Sequence, residues 1–345
     1  MSHIINLALQ GGGSHGAYTW GVLDALLEDR RFSFEAVSGA SAGGLNAALL
    51  ASGYGQGYAK GADHATACRA ARATLKAFWM QLAKEPGFYS VFGAAASNVM
   101  LGFDLLTRIA SPYQFNPLNI NPLRELIQGH VDFAAIHSGP LRVCIGATDV
   151  RTGRARIFTG AEVSCEALMA SACLPHVFQA VEIEGRAYWD GGYSGNPPLY
   201  PLYTSVSEDT LLVKINPLDR PDLPDHAAEI VERINEISFN TPLLQELRAI
   251  AFVQRLLSGG VLKAGRKSTR SKGSGYKRIR MHMIDGGLDL QGYGASSKFN
   301  TSEAFILELF KLGRKRARAW LRRGSEHVGV QSGFDIASLL TTPGS

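Results

Sequence analysis

A chain of 345 residues, 46% hydrophobic and 19% charged, is long enough for one large domain or two smaller ones and ordinary enough in composition to bury a sizeable core. The net charge of +5 is concentrated, because Lys263 to Arg280 holds eight Lys/Arg and no acid while the rest is slightly acidic; this argues against a general nucleic-acid binder. No basic, apolar leader opens the sequence, no apolar run is long enough to span a bilayer, and the four cysteines show neither a C-x-x-C pair nor a metal-ligand spacing, so a cytoplasmic protein with reduced thiols and no metal or cofactor is expected.

In chain order, Ile4 to Leu9 reads as a buried strand and Ala17 to Arg30 as a helix with Trp20, Leu23, Leu26 and Leu27 on one face. Phe34 to Gly39 reads as a second strand and Ala42 to Ser52 as a second helix. A strand–helix–strand–helix opening predicts a parallel sheet with helices on its faces. Residues 55 to 130 read as helix and loop. Leu141 to Thr148 begins a hairpin through "DVRTGRARIF", Cys165 to Ala172 is a short helix, Val181 to Tyr188 turns at Glu184-Gly185, and Thr210 to Ile215 is another buried strand. After the linker-like "DRPDLPDH", Ala227 to Leu257 reads as a helix that Pro242 is expected to break or kink. The stretch from 263 to 277 is expected to be mobile, and Ser302 to Arg323 to form an amphipathic helix.

The first strand ends in "GGGSHG". Gly11, Gly13 and Gly16 fit the dinucleotide fingerprint G-x-G-x-x-G, but the second strand does not end in the acidic residue that would grip a ribose. It ends in "GASAG", a G-x-S-x-G at a strand-to-helix turn, which is the setting of a nucleophile elbow at Ser41. Parallel neighbours place both loops at the same end of the sheet. The N–H groups of Gly11, Gly12 and Gly13 then stand beside Ser41, placed to hold a tetrahedral oxyanion; a nucleotide site is the alternative. No histidine lies in a second recognisable motif, whereas "YWDGGYSGNPP" delivers Asp190 from a strand end into two glycines. A carboxylate is a weak base, with an ordinary pKa of about 3.9 in water, and burial beside a serine hydroxyl raises its basicity.

The motifs GGGSHG, GASAG and DGG, in this order and followed by Asn196-Pro197-Pro198, resemble the patatin-like phospholipases. "MASACLPHVF" resembles that family's S-x-x-x-P segment at Ser171 and Pro175. The resemblance covers roughly residues 4 to 215. It implies a three-layer α/β/α fold with a mainly parallel sheet and a Ser–Asp dyad without histidine, acting on fatty acyl esters of lipids through an acyl-enzyme. The expected organisation is a catalytic domain over residues 4–217 and a mostly helical C-terminal extension over 218–345, similar to one carried by some bacterial members. A thioesterase or acyltransferase with the same dyad, or a non-catalytic lipid- or nucleotide-binding protein, are the alternatives. Many members carry Arg or Lys where this chain has His15. That residue is expected either to meet the substrate when protonated or to cap the first helix, and His176 to line the pocket or to serve structure.

Three further features compete for function. A second D-G-G begins at Asp285 and is expected to be a turn after a strand, and Asp149 is expected to turn a hairpin. His282 and His327 stand as candidates for a Ser–Asp–His triad of the hydrolase kind. "LGRKRARAWLRR" carries six cations, read either as the solvated face of a packed helix or as peripheral attachment to an anionic membrane.

Overall fold

The structure, a computed structural model, describes residues 3–59, 61, 63–85, 110–220, 222–264 and 276–340. Eight strands form one sheet: β1 (His3–Leu9), β2 (Phe32–Ala40), β3 (Arg142–Asp149), β4 (Ala155–Thr159), β5 (Val181–Ile183), β6 (Arg186–Asp190), β7 (Asp209–Lys214) and β8 (Arg280–Asp285). The spatial order is β5-β6-β3-β2-β1-β7-β8, with β4 also paired to β3. The pairs β1–β2, β2–β3, β1–β7 and β7–β8 are parallel; β3–β4, β3–β6 and β5–β6 are antiparallel. The chain builds outward from β1 through β2 to β3, then crosses to the other side of β1 for β7. The direction of winding therefore changes at β1, and a crevice opens there beyond the carboxyl ends of the strands.

The principal helices are α1 (Gly16–Asp29), α2 (Ala42–Ala59), α3 (His64–Leu82), α4 (Leu123–His130), α5 (Phe133–Ser138), α6 (Cys165–Ser171), α7 (Ala227–Ser258) and α8 (Glu303–Arg323). Strand side chains alternate between two cores. Ile5, Leu7 and Leu9 of β1 belong to a core with Leu23 and Leu26 of α1, Leu49 of α2, Phe78 of α3 and Leu309 of α8. Ala8 of β1, Leu212 of β7 and Met281 of β8 face Leu243, Leu247 and Ile250 of α7. Helices thus cover both faces of the sheet, giving three layers.

Pro242 does not break α7, which is continuous over 32 residues. The helix is held across the proline by its packing. Asn240 accepts from Gln10 at 3.0 Å and donates to the Pro217 carbonyl at 2.8 Å, and Glu246 accepts the N–H groups of Leu199 and Tyr200. Tertiary bonds on both sides of Pro242 outweigh the one helical hydrogen bond that it removes.

The segment after residue 217 enters the same sheet through β8 and covers α1 with α8. Gly21 and Gly313 let these helices approach until a Cβ on either would stand 2.1 or 2.0 Å from the partner's carbonyl oxygen. Cations of α8 close the contact: Arg314 pairs with Asp24 and Glu28, Arg318 with Glu28, and Arg316 with Asp289. Three of the cations offered for membrane attachment are therefore committed to the chain's own carboxylates, as a packed helix requires. Of the basic stretch, 265–275 lies outside the described residues. No described helix is long and apolar enough to cross a membrane. All four cysteines are free and buried.

Candidate active site

Ser41 is the single residue between β2 and α2, and its φ of 54° lies in the left-handed region. A non-glycine residue there is strained, and the strain projects its side chain from a sharp strand-to-helix turn. The turn closes only without a side chain at Gly39, where a Cβ would stand 2.4 Å from the Gly43 carbonyl oxygen. Its anchor is Ser171 at the end of α6, which accepts the Ser41 N–H through its carbonyl at 3.1 Å and its hydroxyl at 2.9 Å. The segment singled out in the sequence for its S-x-x-x-P spacing therefore holds the elbow from below.

Asp190 is the last residue of β6 and is wholly buried. It starts two strands away from Ser41, with β3 between them. The chain crosses β3 at Gly191, where a Cβ would meet the Gly146 carbonyl oxygen at 2.0 Å and Ala40 Cβ at 3.0 Å. One carboxylate oxygen, Oδ1, accepts the Gly192 N–H at 2.7 Å; the other, Oδ2, has no hydrogen-bond partner among the described residues. Burial pushes the carboxyl up to about 6, against the pull of the Gly192 N–H and the nearby Ser41 hydroxyl. A carboxylate poised near neutrality with an unsatisfied oxygen is what a proton acceptor needs.

The glycine loop stands on the other side of Ser41. Its three N–H groups are not equivalent. Gly11 donates to Asn196 Oδ1 at 2.7 Å, and Asn196 Nδ2 returns a bond to the Gly11 carbonyl at 3.3 Å. The Gly11 N–H is thereby spent, which corrects its expected place among the oxyanion donors. Gly12 and Gly13 have no N–H partner among the described residues, and Ala42 opens α2, where the first N–H groups lack an intrahelical acceptor. These three residues line one cavity of about 260 Å³ that Ser41 and Asp190 also line. Its apolar wall comes from Leu45, Phe78, Trp79, Leu82, Leu123 and Phe178.

His15 departs from both expectations. It ends the short turn before α1 without a side-chain cap bond, and it lies outside the cavity lining, 2% exposed. Its Nε2 is 2.8 Å from the Ser297 hydroxyl, and its ring packs beside Tyr293 and Phe305. Burial, reinforced by Lys298 and Arg220, pushes the imidazole down to about 3, so it is neutral and cannot meet an anion as a cation. His176 does line the cavity, from its exposed rim. The cation beside the glycine loop is instead Lys298, which the motifs did not single out although "SSKFN" carries it. Asn196 and Asn216 were also missed as loop supports; only the Asn-Pro after D-G-G hinted at the first.

The competing motifs lie elsewhere. His282 Nε2 is 2.9 Å from Asp209 Oδ1, near the amino end of β7, whereas Ser41 follows the carboxyl end of β2; His327 bonds Gln331. No triad forms. Asp285 pairs with the buried Lys214 at 2.8 Å, and Asp149 accepts the Arg151 and Thr152 N–H groups in its turn. Among the described residues no group of three or more His, Cys, Asp and Glu is placed to hold a metal ion.

The family profile for patatin-like phospholipases matches residues 7–203, more than half of the chain. The chain belongs to the patatin-like phospholipase family. The matched stretch of this patatin-like protein contains Ser41, Asp190 and the glycine loop, and ends before β7, β8, α7 and α8. Among solved structures it is similar to VipD from Legionella pneumophila, at 15% identity and TM-score 0.40, covering 93% of this chain and 67% of that one. It is also similar to the complex of full-length SpcU with full-length ExoU from the type III secretion system of Pseudomonas aeruginosa, at 16% identity and TM-score 0.28. That match covers 71% of this chain, which spans about half (51%) of its counterpart. No curated protein matches the sequence.

Proposed function

We propose that this patatin-like protein hydrolyses fatty acyl esters of lipids through a Ser41–Asp190 dyad. The observation that supports the reading is that a strained serine and a buried, half-satisfied carboxylate line the same largely apolar cavity. Ser41 attacks the acyl carbonyl while Asp190 takes its proton, and the Gly12, Gly13 and Ala42 N–H groups receive the developing oxyanion. Asp190 returns the proton to the leaving alcohol. It then draws a proton from the attacking water and passes it to the Ser41 oxygen as the fatty acid leaves. The apolar wall receives the acyl chain and excludes water from the acyl-enzyme.

The test is covalent labelling by a fluorophosphonate together with hydrolysis of a short-chain ester. Wild type is expected to be labelled at Ser41. Ser41→Ala and Asp190→Asn are each expected to lose about 10³-fold or more in kcat, and the double variant to be little worse than either. An active Asp190→Asn variant overturns the dyad. A chain that is neither labelled nor hydrolytic is the non-catalytic binder. Transfer of the acyl group to a thiol or alcohol faster than to water identifies the acyltransferase alternative.

A further inference from the structure

The N–H groups of Gly12 and Gly13 are aimed by different means. A trans peptide holds its C=O and the following N–H in one plane, pointing opposite ways. Whatever grips a carbonyl in the glycine loop therefore sets the direction of the next N–H. The His15 N–H donates to the Gly12 carbonyl at 3.2 Å, so the Gly13 N–H is aimed by the backbone of the turn itself. The Gly11 carbonyl accepts no backbone N–H among the described residues. It accepts Asn216 Nδ2 at 2.8 Å and, at a longer 3.3 Å, Asn196 Nδ2. The Gly12 N–H is thus aimed by side chains 205 and 185 positions away from Gly11.

That plane needs a grip. Gly11 lies against the elbow, where a Cβ would stand 2.4 Å from the Ala40 carbonyl oxygen and 2.7 Å from Ser41 Cβ. The close approach to Ser41 demands glycine, and a peptide between two glycines turns with little steric resistance.

Asn216 is itself held firmly. It stands just beyond β7, outside the residues 7–203 that the family profile matches, and is buried. Its N–H and that of Ile215 each donate to Gln10 Oε1 at 2.8 Å, and Gln10 Nε2 donates to Asn240 of α7 at 3.0 Å. Lys298 fixes which way the Asn216 amide faces. An ammonium has only hydrogens to give, so it takes Oδ1 at 2.9 Å and leaves Nδ2 for the Gly11 carbonyl.

We propose that Asn216 is a positioning residue of the oxyanion site: by drawing the Gly11 carbonyl toward itself, it turns the Gly12 N–H toward the oxyanion of the Ser41 adduct. The proposal rests on the hydrolase reading, which supplies that oxyanion. Asn216 acts through the loop, and the C-terminal segment thereby tunes a motif that lies at the other end of the chain.

The test compares para-nitrophenyl butyrate with its thiono analogue, in which C=S replaces C=O. A sulfur anion is a larger and weaker acceptor, so it gains less from an aimed N–H. Wild type is expected to favour the oxygen ester by about 10-fold or more in kcat/KM. Asn216→Asp is nearly isosteric and keeps a partner for Lys298, but it has no hydrogen for the Gly11 carbonyl. It is expected to lower kcat on the oxygen ester by about 10- to 100-fold with KM within about threefold. The loss is smaller than that of a whole donor because Asn196 still holds the carbonyl. The thiono ester is expected to lose less than about threefold in kcat/KM, so the preference for oxygen falls. Asn216→Leu removes the amide without adding a charge, is expected to match, and serves if the Asp variant melts early. Equal losses on the two esters mark Asn216 as scaffolding and overturn the proposal. So does unchanged turnover of the oxygen ester, or a loss carried by KM alone. A wild type that hydrolyses neither ester overturns the hydrolase reading and the proposal with it.

Discussion

Asp190 and Asp285 show what a single residue's surroundings decide. Each begins a D-G-G, each ends a strand, and each accepts the N–H of the glycine two positions on at 2.7 Å. The local turns are the same because the local sequences are the same. The difference is opposite them: Asp285 meets the ammonium of Lys214, and Asp190 is wholly buried beside an uncharged hydroxyl. This difference has a signature in pH. The Asp190 carboxyl titrates at 3.8 when unfolded and near 6 when folded, so between these values the folded state holds the extra proton. Stability therefore falls as pH rises through this window, by up to about 3 kcal/mol above it. Asp190→Asn is expected to raise the unfolding free energy by about 2–3 kcal/mol at about pH 8 and by nothing near pH 3, measured by urea denaturation. On the proposed roles it abolishes hydrolysis while doing so, and wild-type kcat/KM rises with pH through an inflection near 6. His15 acts with the opposite sign. Its folded value of about 3 lies below the ordinary 6.5, so the stability it contributes above 6.5 is lost progressively as pH falls from 6.5 toward about 3.

Among the elements, α8 shows how an amphipathic pattern leaves its partner open. Its apolar and basic faces were legible from the order of residues. The receiving surface was not, because Asp24 and Glu28 of α1 lie almost 300 positions earlier. Arg314 and Arg318 of the basic face clamp α1, and the small residues Gly21 and Gly313 set the depth of contact. Gly313→Ala drives a methyl group into the Tyr18 carbonyl and is expected to cost about 3 kcal/mol. Arg314→Gln, which takes a cationic partner from the Asp24 and Glu28 carboxylates, is expected to cost about 2 kcal/mol, and Lys315→Gln on the exposed side less than about 0.5 kcal/mol. Midpoints and m-values from denaturant unfolding check all three. Equal effects at Arg314 and Lys315 contradict the clamp.

At the scale of the whole molecule, the segment after residue 217 completes the sheet, one helical layer and the polar end of the cavity. Without it the β7 edge, the α1 face holding Gly21 and Trp20, and the apolar side of Leu212 all meet water. A chain ended at residue 217 is expected to be expressed without a cooperative unfolding transition, and coexpression of 218–345 to restore one. A cooperatively folded 1–217 fragment contradicts this. The sequence by itself determined the local events: which runs alternate as strands, where glycines permit sharp turns, and that Ser41, Asp190 and the glycine loop lie in motifs of one family. Each rests on backbone geometry within a few residues, where one side chain too many closes the turn. Tertiary structure decided which of two identical D-G-G turns faces the serine, that Asn196 spends the Gly11 N–H, that α7 runs through Pro242, and that His15 is neutral while Lys298 supplies the charge. These depend on which distant groups share a burial site, because desolvation and hydrogen-bond pairing are set by neighbours in space rather than in sequence.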